Sequence, residues 1–307
     1  MLSTTRYRPS AFVRTKPQHG RTLRICLMSV TLTCFAESAY AQIALAGYWN
    51  PIYHEDFEER VAGPAIGDYA GLPINDAARA RADTWDASLL TVPEHQCIPH
   101  PSTYGFRAVG TLRIEETHDP VTEELLKIDT WITWQNQHRE IWMDGRAPPP
   151  ENALHTWQGF SVGHWQGNVL VVATDHLKAG WIRRNGLPLS DLASMREYFF
   201  RHGDVLTQVT MVADPVYLTE PLVKSNGFRY VLNGSMMAYP CRAVIEVPRP
   251  KGAIPHQLPG KNAFLNEFAQ KHCIPIEATR GGAGTALPEY MDRMKTLSNE
   301  QANCSSQ

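Results

Sequence analysis

The chain has 307 residues, enough for one large β domain or two small ones. Residues 1–41 hold six of the 29 Lys and Arg residues and one of the 31 Asp and Glu residues, so the rest of the chain carries 23 bases against 30 acids, a charge near −7. Such a surface repels phosphate backbones, and this balance argues against a nucleic-acid partner.

The first 41 residues have the order of a secretory signal peptide. Six bases precede a largely apolar run from Ile25 to Ala36, and Ala39-Tyr40-Ala41 supplies a small-residue cleavage site. The run is too short to span a bilayer, and no later stretch approaches the roughly 20 apolar residues that a helical span requires. We expect cleavage after Ala41, a periplasmic or secreted protein, and no integral membrane segment in the mature chain.

Residues 47–101 are rich in Pro, Gly and Asp, which predicts a wrapping segment with one short helix from about Asn75 to Ala87. Asn75 is the expected N-cap of this helix. At the start of the segment, Gly47-Tyr48-Trp49 is similar to the Gly-x-Trp of the first lipocalin strand. The interpretation we favour for Trp49 is an aromatic plug at one end of a barrel.

A series of short β-rich runs follows at roughly ten-residue spacing, which is typical of a sandwich or barrel. Two polar-glycine turns, Gln166-Gly167-Asn168 and His202-Gly203-Asp204, predict hairpins. A meander with short turns closes most economically into an up-and-down barrel, because closure removes exposed edges. The runs are Phe106–Glu115, Leu125–Trp134, Arg139–Met143, Gly159–Trp165, Val169–Thr174, Gly180–Arg184, Met195–Arg201, Val205–Val212 and Leu222–Leu232.

The predicted fold class is therefore mainly β, an antiparallel up-and-down, lipocalin-like barrel. Residues 42–247 are assigned to the barrel domain with its N-terminal wrapping segment. Residues 248–307 are predicted to be a short helical appendage packed on the barrel, because they hold too little apolar sequence for a core of their own. Its helices are expected at Phe264–Lys271 and Pro288–Leu297.

Four cysteines follow the predicted cleavage site: Cys97, Cys241, Cys273 and Cys304. An oxidising compartment permits up to two disulfides among them, with three possible pairings. We expect Cys97 to pair with Cys241 or Cys273, with Cys304 on a frayed tail. Structural disulfides are favoured over catalysis, because a reactive thiol needs an electropositive setting that the sequence does not indicate.

The middle of the chain resembles a large set of exported bacterial proteins with no assigned activity. The resemblance is carried by Ile141-Trp142-Met143-Asp144-Gly145-Arg146 and by the pattern Trp-x-Gly-x-Ser-x-Gly-x-Trp-x-Gly-x-x-Leu-Val-Val from Trp157 to Val172. It spans about Gly47 to Pro221 and implies a lipocalin-type (calycin-type) barrel of undetermined role. Further matching elements are Arg184-Asn185-Gly186, Ser190-Asp191, Glu197, Asp214-Pro215 and Tyr217.

His155 and His176 are candidate acid–base residues. A hairpin turn at Gly167 places the segments on either side of it next to each other, so both histidines are expected near the same end of the barrel. Asp175 could orient His176, although adjacent strand residues point to opposite faces. No H-x-H or H-E-x-x-H spacing supports a metal, so we predict neither a metal site nor a cofactor.

Glu197 is the third candidate catalytic residue. It alternates with Met195 and Phe199, so it shares an apolar face and is either ion-paired or has a raised pKa suited to proton transfer. An inward-facing Arg183 would need a carboxylate, for which Glu197 or Asp191 is the natural candidate.

Ser161 matches Gly-x-Ser-x-Gly by letter. The motif lies in a strand–hairpin–strand setting and not at a strand–elbow–helix turn, so a serine hydrolase is not predicted.

Aromatic side chains are plentiful on the predicted strands, and several must point into the barrel. We therefore expect a lumen that takes a small, largely apolar ligand, for which a flat aromatic molecule is suited. The candidate ligand-binding residues are Trp142, Trp157, His164, Trp181, Arg183 and Tyr198.

The leading functional hypothesis is an exported small-molecule-binding barrel. The competing hypothesis is a non-redox enzyme, of isomerase, hydratase or lyase type, that uses His and Glu acid–base chemistry in the same cavity. A third is an envelope structural protein with a filled barrel. The oligomeric state is left open.

Overall fold

The computed structural model describes residues 43–53, 57–60, 63–244 and 247–296. The predicted leader, Cys304 and Leu297 at the end of the second predicted appendage helix lie outside the described residues. Among the helices of the described part, none is long and apolar enough to cross a membrane.

Eleven strands and six short α-helices make up the described fold. The strands are β1 (Gly47–Pro51), β2 (Leu112–His118), β3 (Leu125–Ile132), β4 (Gln137–Trp142), β5 (Phe160–Gln166), β6 (Val169–Asp175), β7 (Gly180–Trp181), β8 (Pro188–Leu189), β9 (Ser194–His202), β10 (Val205–Ala213) and β11 (Leu222–Val231). The helices are α1 (Asp76–Ala82), α2 (Pro93–Gln96), α3 (Ser102–Gly105), α4 (Glu267–His272), α5 (Ile276–Thr279) and α6 (Pro288–Thr296).

Nine of the strands form a closed barrel in the order β1-β11-β10-β9-β6-β5-β4-β3-β2, which confirms the predicted mainly β barrel. The up-and-down antiparallel description is only approximate, because β4 and β5 pair in parallel. Strand directions cannot alternate all the way round a closed ring of nine strands, so one neighbouring pair has to be parallel. The long connection 143–159 makes that crossover possible.

Both predicted hairpins are confirmed. Gln166 pairs with Val169 across the first turn, and His202 pairs with Val205 across the second. Gly167 and Gly203 have positive φ angles of 62° and 57°, which a side chain rarely adopts, so glycine suits these two tight turns.

Two predicted runs differ from the structure. The run predicted from Phe106 begins as a strand only at Leu112, because the preceding residues form α3 and the turn after it. The run predicted over Gly180–Arg184 is not a barrel strand, since only Gly180 and Trp181 are extended, and they pair with β8 in a separate two-stranded sheet. The ninth barrel strand is instead β1.

Alternating side chains fill the barrel with apolar residues toward one end. Trp49 of β1 is fully buried and donates its indole N–H to the carbonyl of Leu45 at 2.9 Å, consistent with a plug. Edge-on contacts of Phe106 with Phe199 and Phe228 continue this core. Its other buried members include Leu112, Ile114, Ile128, Ile141, Leu170, Val172 and Leu206.

The wrapping segment shares a second core with the β6–β9 connection and the adjoining barrel strands. Helix α1 is capped as predicted, with the Asn75 side chain accepting from the Ala78 N–H at 3.0 Å, although the helix ends at Ala82 and not near Ala87. Tyr69 and Ile74 pack here with Ile182 and Leu187 from the β6–β9 connection. A disulfide joins Cys97 of the wrapping segment to Cys241, one of the two partners expected.

Described residues from 248 onward contact mainly the wrapping segment. Arg280 forms an ion pair with Asp83 at 2.5 Å, and Asn262 donates to the Asp83 carbonyl at 2.9 Å. The first predicted appendage helix is a 3-10 turn (Ala263–Asn266) that continues into α4, and the second is α6. Cys273, at the end of α4, is also disulfide-bonded.

Candidate functional site

The polar part of the barrel interior is organised around a buried ion pair. Arg139 on β4 and Glu197 on β9 contact each other through both guanidinium NH groups, one of them at 3.0 Å, and neither residue exposes more than 3% of its surface. Arg139 also donates to the hydroxyls of Ser161 at 3.0 Å and Thr174 at 2.7 Å. Gln208 donates to Glu197 at 2.6 Å.

This interior network is closely packed. Its members satisfy one another, and the void beside them, between Thr130, Gln137 and Arg139, measures only about 10 Å³. A space of this size is at the lower limit for a single water molecule. This part of the described barrel interior gives no support to a ligand-binding lumen, which stays a prediction.

Glu197 is ion-paired, which was one of the two predicted alternatives. Its partner is Arg139 and not the expected Arg183. Arg183 lies 3.9 Å from Asp68 and donates to the Asp68 carbonyl at 3.1 Å, so neither Glu197 nor Asp191 is its carboxylate. Burial lowers the pKa of Arg183 to about 10. Arg139 could have been found from sequence, because it alternates with Gln137 and Ile141 on the inward face of its strand.

A neutral histidine and a lysine lie beside helix α3 at the polar end of the barrel. His100 is 3% exposed and packs edge-on against Tyr104, and burial lowers its pKa to about 3. Lys224 of β11 has its ammonium 5.4 Å from the Tyr104 ring. Burial, assisted by Arg107 and Arg183, lowers the pKa of Lys224 to about 7. The sequence analysis singled out neither residue.

His155 and His176 do come together, with ring centroids 5.2 Å apart. The pairing of Thr156 with Leu177 brings them together. The Asp175 carboxylate contacts Nδ1 of His176 at 2.7 Å, which strand alternation argued against. The geometry is possible because His176 has a φ angle of 53° and so leaves the strand conformation.

Hydrogen bonds occupy most of the ring nitrogens of this pair. Nε2 of His176 contacts the Pro150 carbonyl at 2.9 Å, and Nδ1 of His155 contacts the Leu177 carbonyl at 2.8 Å. Asp175 and the Pro150 carbonyl raise the pKa of His176. Neither histidine lines the barrel interior or the groove described next, and the proposed acid–base role stays a prediction.

Three predicted ligand-binding residues lie on the outside of the barrel. His164 is exposed, and Tyr198 stacks with Phe200 at 6.5 Å on the outer surface of β9. Trp142 is partly exposed beneath the Arg146 guanidinium, which lies 3.5 Å from the ring centroid. Their assignment to a lumen is wrong, because each alternates with a neighbour that takes the inward position.

The outer face of β3 and β4 carries Asp129, His138 and Glu140, whose ligand atoms lie within 4.8 Å of one another. The ammonium of Lys127 is 2.6 Å from Glu140 and 3.3 Å from Asp129. Lys127 thus supplies the positive charge between the two carboxylates. We interpret the group as a surface ion-pair network.

The other two predicted tryptophans, Trp157 and Trp181, line a groove of about 560 Å³ outside the barrel. Trp85 of the wrapping segment completes its aromatic wall and packs edge-on against Trp181 at 5.3 Å. The His95 ring stacks on Trp181 at 6.1 Å, and Asp86 and Asp191 also line the space. We call this space the tryptophan groove.

Local sequence accounts for the position of each wall of the tryptophan groove. Gly186, in the Arg-Asn-Gly turn, has a φ angle of 91°, and a Cβ at this position would overlap Trp85. Ser190 bonds Asp214 through its hydroxyl at 2.7 Å and its N–H at 2.8 Å, which fixes the chain beside Asp191. Two motif elements of the family resemblance, the Arg-Asn-Gly turn and the Ser-Asp pair, therefore shape this groove.

A strap formed by residues 241–244 and 247–257 borders the groove and contributes Ile254, Pro255 and His256 to its lining. Besides the Cys97–Cys241 disulfide, Arg249 forms an ion pair with Glu94 on α2. Gln257 donates to Asp86 at 2.7 Å, next to His256, which lines the groove. The sequence analysis missed Trp85, Asp86 and His95, because a Pro- and Gly-rich segment gives no periodicity that would predict which side chains face inward.

Comparison of the chain with protein-family models, curated proteins and solved structures found no match.

Proposed function

We propose that this protein is an exported binder of a small, largely apolar molecule, and that it holds this ligand in the tryptophan groove and not inside the barrel. The observation that carries the proposal is the convergence of Trp85, Trp157 and Trp181 on one space of about 560 Å³. Small-molecule sites commonly have volumes of about 300–1,000 Å³, with aromatic walls and a few polar groups.

The closed barrel supports the proposal as a rigid base for the groove. Trp157 precedes β5, and Trp181 belongs to the small sheet that follows β6, so both are attached to the barrel. The wrapping segment, which supplies Trp85, is joined to the strap by the Cys97–Cys241 disulfide. Little ordering is then needed when a ligand binds, which favours affinity.

Binding can be tested with N-phenyl-1-naphthylamine, an uncharged aromatic fluorophore that brightens on leaving water. We expect saturable binding to the purified protein and a loss of about tenfold or more in affinity for Trp181→Ala, since one large aromatic contact is removed. Trp142→Ala is the matched control, because it removes a tryptophan from the outer barrel face.

Equal weakening by both substitutions would argue against the groove, and so would binding that neither alters. If no aromatic probe binds at all, the result would contradict the proposal and favour an envelope structural protein. Native mass spectrometry of protein purified from its own source complements the titration. A retained small molecule that Trp181→Ala protein lacks is the expected result.

A further inference from the structure

Most tryptophans of this protein have a protein cation over the ring. Five of the eight carry a Lys or Arg within cation–π range, at distances from 3.5 to 5.9 Å. Such contacts are favourable because the face of an indole is electron-rich. The pairs are Arg201 on Trp49, Arg113 on Trp131, Arg184 on Trp134, Lys127 and Arg146 on Trp142, and Lys178 on Trp157.

Trp85 and Trp181 differ, and they are neighbours in the tryptophan groove. No Lys or Arg of the described residues lies over either ring. The remaining tryptophan without such a partner, Trp165, packs against the barrel core. Two adjoining indoles that have no described Lys or Arg over their rings are therefore a particular feature of this groove.

Carboxylates accompany these two indoles. Asp86 accepts from the Ser88 N–H at 3.0 Å and from the Ser88 hydroxyl at 2.5 Å, and these bonds lower its pKa, so it is ionised at neutral pH. Asp191 is exposed along the groove, with no hydrogen bond or ion pair from the side chain to any described residue. Both carboxylates can compensate a positive charge in the cavity.

The groove offers little positive charge of its own. Arg81, which is exposed, is the one Lys or Arg among its described lining residues, and the Lys178 ammonium lies over the ring of Trp157. Burial lowers the pKa of His95, which keeps that ring neutral at pH 7. His256 and Tyr217 are the other titratable groups of the lining.

From these observations we infer that the tryptophan groove selects an organic cation, an alkylated ammonium whose apolar substituents contact Trp85 and Trp181 and whose charge lies near Asp86 and Asp191. This inference rests on the proposed binding function of the groove and adds the charge of the ligand. An ammonium with alkyl groups is both largely apolar in surface and attracted to indole faces.

A matched pair of probes tests the inference. Choline and 3,3-dimethylbutan-1-ol have nearly the same shape, and only choline carries a positive charge. In calorimetric titrations at neutral pH we expect choline to bind about tenfold more tightly, as expected for a cation–π contact with some desolvation.

The preference should depend on the groove carboxylates. The double variant Asp86→Asn, Asp191→Asn should bring the two affinities to within about twofold while N-phenyl-1-naphthylamine still binds. An asparagine side chain at position 86 can still accept a hydrogen bond from the Ser88 N–H, so the turn that begins there is kept. Asp144→Asn, on the outer barrel face, is the control and should leave the preference for choline unchanged.

Equal affinities for the two probes in the unaltered protein would overturn the inference. It would also fall if choline bound better but the double variant kept the full preference. In either case, Trp181-dependent binding of the neutral fluorophore would leave the proposed function standing. Absence of binding by the fluorophore and by both probes would remove the function and the inference together.

Discussion

The barrel interior and the tryptophan groove use similar residue types for opposite purposes. Inside the barrel, Glu197 has Arg139 and Gln208 as partners, and the adjoining void is about 10 Å³. In the groove, the Asp191 side chain has no hydrogen-bond or ion-pair partner among the described residues, and about 560 Å³ of space lies beside it. A closed barrel alone therefore does not indicate a binding lumen, because its polar groups can satisfy one another.

The largest expected effect comes from breaking the interior pair. Glu197→Ala leaves the Arg139 charge buried without its carboxylate, and we expect the free energy of unfolding to fall by about 3–5 kcal/mol in urea titrations. Ligand binding should change little in the fraction that stays folded, because the groove lies outside the barrel.

Two further variants sharpen this result. Glu140→Ala removes an exposed glutamate of the neighbouring surface and should cost about 1 kcal/mol or less. Replacing both partners, Arg139→Met with Glu197→Leu, should recover most of the loss, because no buried charge is then left unpaired. A double variant as unstable as Glu197→Ala would show that the pair is needed for more than mutual neutralisation.

A smaller effect is expected at the boundary between the two regions. Replacing Cys97 and Cys241 by serine opens a link between residues 144 positions apart in the sequence. We expect a loss of about 2–4 kcal/mol in unfolding free energy, mainly because the unfolded chain is less restricted. Affinity for N-phenyl-1-naphthylamine should fall as well, since the cross-link holds the strap against the groove.

The matched control for the disulfide variant is Arg249→Met, which removes the ion pair with Glu94 and leaves the disulfide in place. It should change stability and affinity less than the serine variant does. If the serine variant kept full affinity, the strap would have no part in shaping the groove.

The last comparison concerns pH and separates the buried barrel end from the solvent-exposed surface. The pKa of His100 falls from an ordinary 6.5 to about 3 on folding, so between these values the unfolded chain binds more protons than the folded one. Stability should therefore decrease as pH drops from 6.5 towards 3, by up to about 1.4 kcal/mol per pH unit from this residue.

Urea titrations between pH 4 and 7 measure this slope. His100→Phe keeps a ring against Tyr104 but does not titrate, and it should reduce the slope. The exposed His118 provides the control, and His118→Phe should not flatten the acid side in the same way, since the pKa of His118 is raised and not lowered. An unchanged slope in the His100 variant would show that other groups control acid unfolding.

The periodic part of the chain was predictable to the level of single turns. Both hairpins, the Asn75 cap, the burial of Glu197 and the proximity of His155 to His176 follow from local rules about turns, caps and alternation. The prediction of a barrel strand at Gly180–Arg184 was wrong, because a short apolar stretch between strands can leave the barrel sheet and pair separately. The groove was only partly foreseen, through Trp157 and Trp181.

The mainly β class, the hairpins and the sets of strand residues that share a face are predictable from local sequence, because they follow from the period of two and from the conformations that turns demand. The sequence does not indicate which arginine pairs with Glu197 or that Trp85 lies beside Trp157 and Trp181. Those are contacts between segments far apart in the chain, and they depend on how side-chain volumes pack together. No local pattern encodes that packing.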